Sequence, residues 1–203
     1  MQHGLWLAYQ QGCKRWKKWV STGISTINAV IILFPQYKIM METSIDFKLI
    51  KASSKYKNVI NNLFQFYIYD FSEYNKSDLE ENGLYADYPN LEAYWKEVNL
   101  RYPYVIKKNE KYVGFVFVEI TESYERSYFS VAEFFILKKY RRQGIGRAVA
   151  NQIFNLHKGQ WEIHQIESNK PAQIFWNKVI GEYTKGQFKE RLENGRSTQD
   201  FKN

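Results

Sequence analysis

Glu133-Phe134-Phe135-Ile136-Leu137, with Arg141-Arg142-Gln143-Gly144-Ile145-Gly146-Arg147 close behind it, reads as a buried strand running into a glycine-bearing turn that opens a helix. Such a turn presents unpaired backbone N–H groups and the positive end of a helix dipole, which together suit a phosphate. Gly144 and Gly146 remove side chains where a ligand must approach the backbone. Arg141, Arg142 and Arg147 add positive charge suited to a polyanion. Glycines that merely shape a turn would leave the same pattern, so the flanking sequence has to decide.

Upstream, Ser127 to Leu137 forms the strand, with Phe129, Val131, Glu133, Phe135 and Leu137 in one phase. Before it, Tyr104–Lys107 and Tyr112–Ile120 flank Lys108-Asn109-Glu110-Lys111 as a hairpin. Lys55 to Tyr74 places Val59, Ile60, Leu63, Phe64, Tyr67 and Phe71 at helical spacing. Leu91 to Asn99 is a short second helix, and the alternation over Asp46–Ala52 a first strand.

Downstream, Gly144–His157 is a helix with Ile145, Ala148, Val149, Ile153 and Leu156 inward. Trp161–Ile166 is a strand, Pro171–Val179 a helix with proline in its first turn, and Asn194-Gly195 the turn of a terminal strand pair. The order β-α-α-β-β-β-α-β-α-β-β describes one α/β domain with a mixed sheet.

Composition bounds what such a domain can be. The chain has 203 residues, 44% of them hydrophobic and 18% aromatic, enough for a sizeable core. Its one cysteine, Cys13, excludes an internal disulfide framework and fits a reducing, cytoplasmic setting. With three scattered histidines, no metal site is expected. The net charge of +8 is uneven, because residues 1–40 hold five basic residues and no acid, leaving +3 for the remainder.

Residues 1–40 read as an N-terminal extension, and 41–203 as the domain. In the extension Lys14-Arg15-Trp16-Lys17-Lys18-Trp19 precedes an apolar run from Ile24 to Phe34. Basic residues before an apolar run resemble a signal sequence, but Ser25, Thr26 and Asn28 interrupt this one, and no small-x-small cleavage site follows. The run is also too short for a transmembrane span, which needs roughly 20 apolar residues. A peripheral membrane anchor, a packing arm, and a non-native extension from an upstream start stay open; Met40 and Met41 favour the last.

Two motifs together carry a resemblance. Arg141-x-x-Gly144-x-Gly146 resembles the Q/R-x-x-G-x-G/A signature of the GCN5-related N-acetyltransferases (GNAT family), and Asn169-Lys170-Pro171-Ala172-Gln173-Ile174-Phe175-Trp176 resembles their N-x-x-A-x-x-F-Y motif. The resemblance covers roughly residues 46–203 and implies a mostly antiparallel sheet with splayed central strands. It also implies acetyl-CoA as co-substrate. The pyrophosphate would sit on the backbone of Arg142, Gln143, Gly144, Ile145, Gly146 and Arg147, with Arg141 beside them. The pantetheine arm would pair with Phe134, Phe135 and Ile136, with Asn169 near its thioester end and Trp176 packing on the arm.

The family transfers acetyl directly to an amine, without a covalent enzyme intermediate, so a base must take the amine proton. Glu133, a carboxylate in an apolar phase and at a position that resembles the family's catalytic glutamate, is the first candidate. His164, on the strand before Asn169, is the second. Trp176 departs from the family's tyrosine and cannot serve as an acid, since an indole N–H does not shuttle protons. Tyr183 or water would have to replace it.

The acceptor is expected to be a primary amine, on a small molecule or a peptide. It would be bound by the first two helices, the acidic loop between them (Asp78, Glu80, Glu81, Asp87), and the terminal strands. An alternative is a catalytically weak acyl-CoA-binding sensor of the same fold. A third, a nucleic-acid or membrane-surface module using the basic N-terminus, is not favoured; homodimerisation, common in the family, is allowed.

Overall fold

The computed structural model describes residues 45–122 and 126–203; expectations for residues 1–40 lie outside the described residues. The elements are β1 (Lys48–Lys51), α1 (Lys57–Asn75), α2 (Ala93–Lys96), β2 (Arg101–Lys108), β3 (Lys111–Glu122) and β4 (Ser127–Ile136). Then come α3 (Ile145–Leu156), β5 (Gln160–Ile166), α4 (Lys170–Thr184), β6 (Lys189–Glu193) and β7 (Arg196–Lys202). This is the order read from the sequence. None of the helices among the described residues is long and apolar enough to cross a membrane.

The strands form one seven-stranded sheet in the order β1-β2-β3-β4-β5-β7-β6. Every neighbouring pair is antiparallel except β4 and β5, which run parallel and align only at Phe129↔Trp161. Beyond that pair the two strands separate. Two tight turns secure the antiparallel parts: Asn109 and Glu110 between β2 and β3, and Asn194 and Gly195 between β6 and β7, all with positive φ. Positive φ at both turn residues matches the twist of the flanking strands.

Helices cover both faces. Val116 and Val118 of β3 point into a core with Ile145, Val149 and Ile153 of α3 and Trp176 and Ile180 of α4. Phe115 and Phe117, the alternate residues, point into a second core with Ile60, Leu63 and Phe64 of α1 and Tyr94 of α2. Burying a strand on both faces explains its nearly continuous apolar run. Gly114 permits the close approach of β3 to β4, because a Cβ there would lie 2.0 Å from the Phe135 carbonyl oxygen.

The single phase expected for β4 breaks. Phe117 pairs with Glu133 but Val118 with Val131, so Ala132 is an extra residue, a β-bulge. Phe129 and Val131 therefore pack in the α3/α4 layer, while Ala132 and Phe135 pack in the α1/α2 layer. Glu133 goes with the second group.

Helix boundaries differ too. The second helix shrinks to one turn and Val98 is exposed, because the chain from Arg101 onward is recruited into pairing with β3. Conversely, α4 runs past Val179 and through Gly181 to Thr184, ending where Lys185 turns left-handed and the Gly186 N–H donates to the Gly181 carbonyl. Leu156, expected inward, is exposed at the end of α3.

Candidate active site

The separation of β4 from β5 leaves one edge of β4 without a strand partner after Phe129. Unpaired backbone groups in a sheet interior need other partners, and an extended amide-bearing chain provides them. Phe134, Phe135 and Ile136 lie on this stretch. Phe134 faces α4, where it meets Trp176 with ring centroids 5.2 Å apart and Phe175 at 5.7 Å. Trp176 is itself buried in the core below the gap.

After β4 the chain makes a short turn over Lys138–Tyr140 and enters the glycine loop. Arg142 and Gly144 both adopt positive φ, and Gly144 starts α3 without a capping side chain or an acid in the first turn. The first-turn N–H groups, including those of Ile145, Gly146 and Arg147, thus keep their field and their donors for an anion. Two of the three arginine side chains have partners of their own. Arg147 pairs with Glu182 at 3.4 Å, while Arg141 pairs with Asp70 of α1. Gln143 donates to the Lys139 carbonyl at 2.9 Å, closing the turn on itself. Asn169 caps α4 by accepting from the Ala172 N–H at 3.1 Å.

Glu133 emerges from the bulge towards α1. Its carboxylate meets the hydroxyls of Tyr67 from α1 and Tyr88 from the loop before α2. Burial pushes its pKa up to about 7, against the pull of the two hydroxyls, which favour the charged form. Their own burial and the same carboxylate hold both tyrosines well above the usual phenol range. Tyr88 is placed by stacking on Phe64 with centroids 4.4 Å apart. Gln65 fixes that loop by pairing its side-chain amide with the backbone of Tyr85, at 2.9 and 3.1 Å.

His164 lies on β5, with Nδ1 3.0 Å from the Thr198 hydroxyl and Nε2 3.7 Å from Glu162. Burial lowers its pKa, partly offset by Glu162. Glu162 is buried between Arg126 and Arg191. Tyr183 sits at the far end of α4, about 21 Å along the helix from Asn169 by the rise per residue, with its hydroxyl donating to Asn155. His157 is a core residue, its Nε2 2.8 Å from the Tyr104 hydroxyl. Among the described residues no group of His, Cys, Asp and Glu could hold a metal ion.

The chain belongs to the acetyltransferase (GNAT) family, whose model matches residues 64–181. Solved structures share the fold. The GNAT acetyltransferase from Streptococcus agalactiae 2603 superposes with a TM-score of 0.57 at 14% identity, over 77% of this chain and 95% of the other. The GNAT acetyltransferase from Staphylococcus aureus Mu50 gives 0.54 at 14%, over 77% and 100%. The PaiA N-acetyltransferase from Thermoplasma acidophilum, solved in complex with coenzyme A, gives 0.53 at 12%, over 78% and 100%. No curated protein sequence matches the chain at a significant level.

In the sequence Tyr67 reads only as part of the helical spacing of α1, and Tyr88 only as an aromatic residue beside a loop proline. Their role as partners of Glu133 depends on the bulge, which leaves no mark in the alternation. Asp70 and Gln65 had a faint signal, as polar residues among the aromatic residues of α1.

Proposed function

We propose that this chain is an acetyl-CoA-dependent N-acetyltransferase acting on a primary amine by direct transfer. The observation that carries the reading is Glu133. It is a carboxylate with raised proton affinity beside the gap between β4 and β5, on the face opposite α3 and α4. The uncapped start of α3 fits a pyrophosphate, and the open edge of β4 over Phe134–Ile136 fits a pantetheine arm. The coenzyme A complex of the Thermoplasma relative supports the same donor.

Acetyl-CoA supplies the activated acyl group. Glu133 receives the proton as the amine nitrogen forms its bond to the acyl carbon and the carbon–sulfur bond breaks. A base with a pKa near the working pH is both ionised and basic enough for this. Tyr67 and Tyr88 hold the carboxylate in place. The thiolate takes its proton from water, since Trp176 offers none and Tyr183 is remote. His164, held by Thr198, stays neutral.

A second reading, an acyl-CoA-binding sensor, draws on Trp176 standing where a tyrosine acid is usual. Thiol release from acetyl-CoA over a panel of amines separates the two. The expected result is turnover that falls roughly 10²–10⁴-fold in Glu133→Gln with coenzyme A binding retained. Binding without turnover on any amine would leave the sensor.

A further inference from the structure

We infer that Asp70 is a positioning residue that ties the phosphate-binding loop to α1 through Arg141, an inference resting on the cofactor reading above. The Arg141 guanidinium is held on two sides. Its Nε donates to the carbonyl of Ile136, the last residue of β4, at 2.6 Å, and its Nη2 pairs with Asp70. The guanidinium also lies over the Phe135 ring, 5.6 Å from its centroid. Lys138, at the start of the turn, reaches the other Asp70 oxygen at 3.0 Å. One carboxylate on α1 therefore grips the turn at both ends, at Lys138 and at Arg141. Asp70 is well placed to do so, since its side chain is only 18% exposed.

The two cations flank the segment that carries the chain from the open edge of β4 into Gly144. The planar guanidinium fork is preorganised, so it loses less entropy per bond than a lysine ammonium would, and it fixes the direction of the backbone it grips. Tyr67, which contacts Glu133, lies one helical turn before Asp70 on the same side of α1. A single turn of α1 thus registers the base against the loop that would hold the donor. In this arrangement Arg141 serves the cofactor by shaping the loop, and its side chain is directed at Asp70 and Ile136.

The test is coenzyme A titration calorimetry, together with KM and kcat for acetyl-CoA, on the full chain and on Asp70→Asn, Arg141→Gln, the double variant and Asp70→Glu. Each single variant is expected to weaken coenzyme A binding about 3- to 5-fold, the upper part of the range of a partly exposed ion pair. KM for acetyl-CoA should rise alongside while kcat stays unchanged. The double variant should lose no more than either single one, and Asp70→Glu should recover most of the affinity. Additive losses, with Arg141→Gln much the worse, would overturn the proposal by showing that Arg141 touches the phosphates directly. An Asp70→Asn protein that binds within twofold of the parent would overturn it too, as would one that loses kcat with KM unchanged. If Asp70→Asn does not fold, Arg141→Gln combined with Lys138→Gln replaces it: losses that do not add support the shared grip, and losses that add overturn it. A parent chain that binds no coenzyme A would fail the cofactor reading itself, and this inference with it.

Discussion

The hydroxyl of Tyr88 meets the carboxylate of Glu133 across the interface between a loop and the bulged strand β4. Neither residue is near the other in sequence, and each depends on a different device. Stacking on Phe64 sets the tyrosine, and the extra residue Ala132 sets the glutamate.

Removing that hydroxyl in Tyr88→Phe takes away a donor that stabilises the ionised carboxylate. The pKa of Glu133 then rises above about 7, and a smaller fraction of it is available as base at neutral pH. The acid limb of the kcat/KM profile should move to higher pH. Activity at pH 7 should fall roughly two- to tenfold and recover in alkaline buffer. An unshifted limb would mean that the limb does not report Glu133.

Gly144→Ala tests the loop. A φ of 78° is costly for a residue with a Cβ, and the new atom would stand 2.6 Å from the flexible end of Ile45. The left-handed conformation alone costs about 1–2 kcal/mol. Because the strain falls at the start of α3, coenzyme A affinity should drop about 5- to 10-fold with only a modest change in thermal midpoint. Calorimetric binding and a melting curve on the same sample separate the two effects.

Gly114→Ala, by contrast, is a stability variant. Its Cβ would sit 2.0 Å from a carbonyl oxygen of the paired strand, and backbone cannot swing aside as a side chain can. A loss above about 2 kcal/mol is expected, seen as a thermal midpoint lower by roughly 5–10 °C.

How much of this was legible in the sequence follows from the range of each signal. The hairpin at Asn109-Glu110, the glycine loop and the proline in the first turn of α4 are local, and residue identity within a few positions specifies them. The element order followed from periodicity, which long buried strands such as β3 preserve. The bulge was illegible, because Val131, Glu133 and Phe135 alternate in sequence just as an unbroken strand would. So was the Asp70–Arg141 pair, which joins residues 71 positions apart. The one-turn α2 shows tertiary override: Val98 satisfied the helical period, yet sheet pairing from Arg101 claimed the chain.

Acid stability carries opposed contributions, those of His157 and Glu133 among them. Burial lowers the pKa of His157 from 6.5 to about 4, so between those values the unfolded chain holds the extra proton and stability falls as pH falls. Glu133 does the reverse between 4.5 and about 7, where the folded chain holds the extra proton and stability rises as pH falls. Denaturant midpoints at pH 7.5 and pH 5 should therefore respond differently to two variants. His157→Gln should gain relative to the parent at the lower pH, and Glu133→Gln should lose relative to it. Parallel curves for all three proteins would remove both assignments.

Ala132 gives β4 one residue more than the stretch of β3 it pairs with, and this decides which alignment the two strands can hold. In an unbroken ladder, Val131 opposite Val118 would be followed by Ala132 opposite Phe117 and Glu133 opposite Val116. Val116 points into the α3/α4 core, so the carboxylate would enter a layer of apolar groups around Trp176 that offers it no tyrosine hydroxyl. Phe135 would follow it across and abandon Phe64 and Phe115. The penalty for burying that carboxylate unpaired falls on the unbulged alignment alone. Glu133 thus guards the register of its own strand, penalising the one-residue slip that would carry it away from Tyr67 and Tyr88.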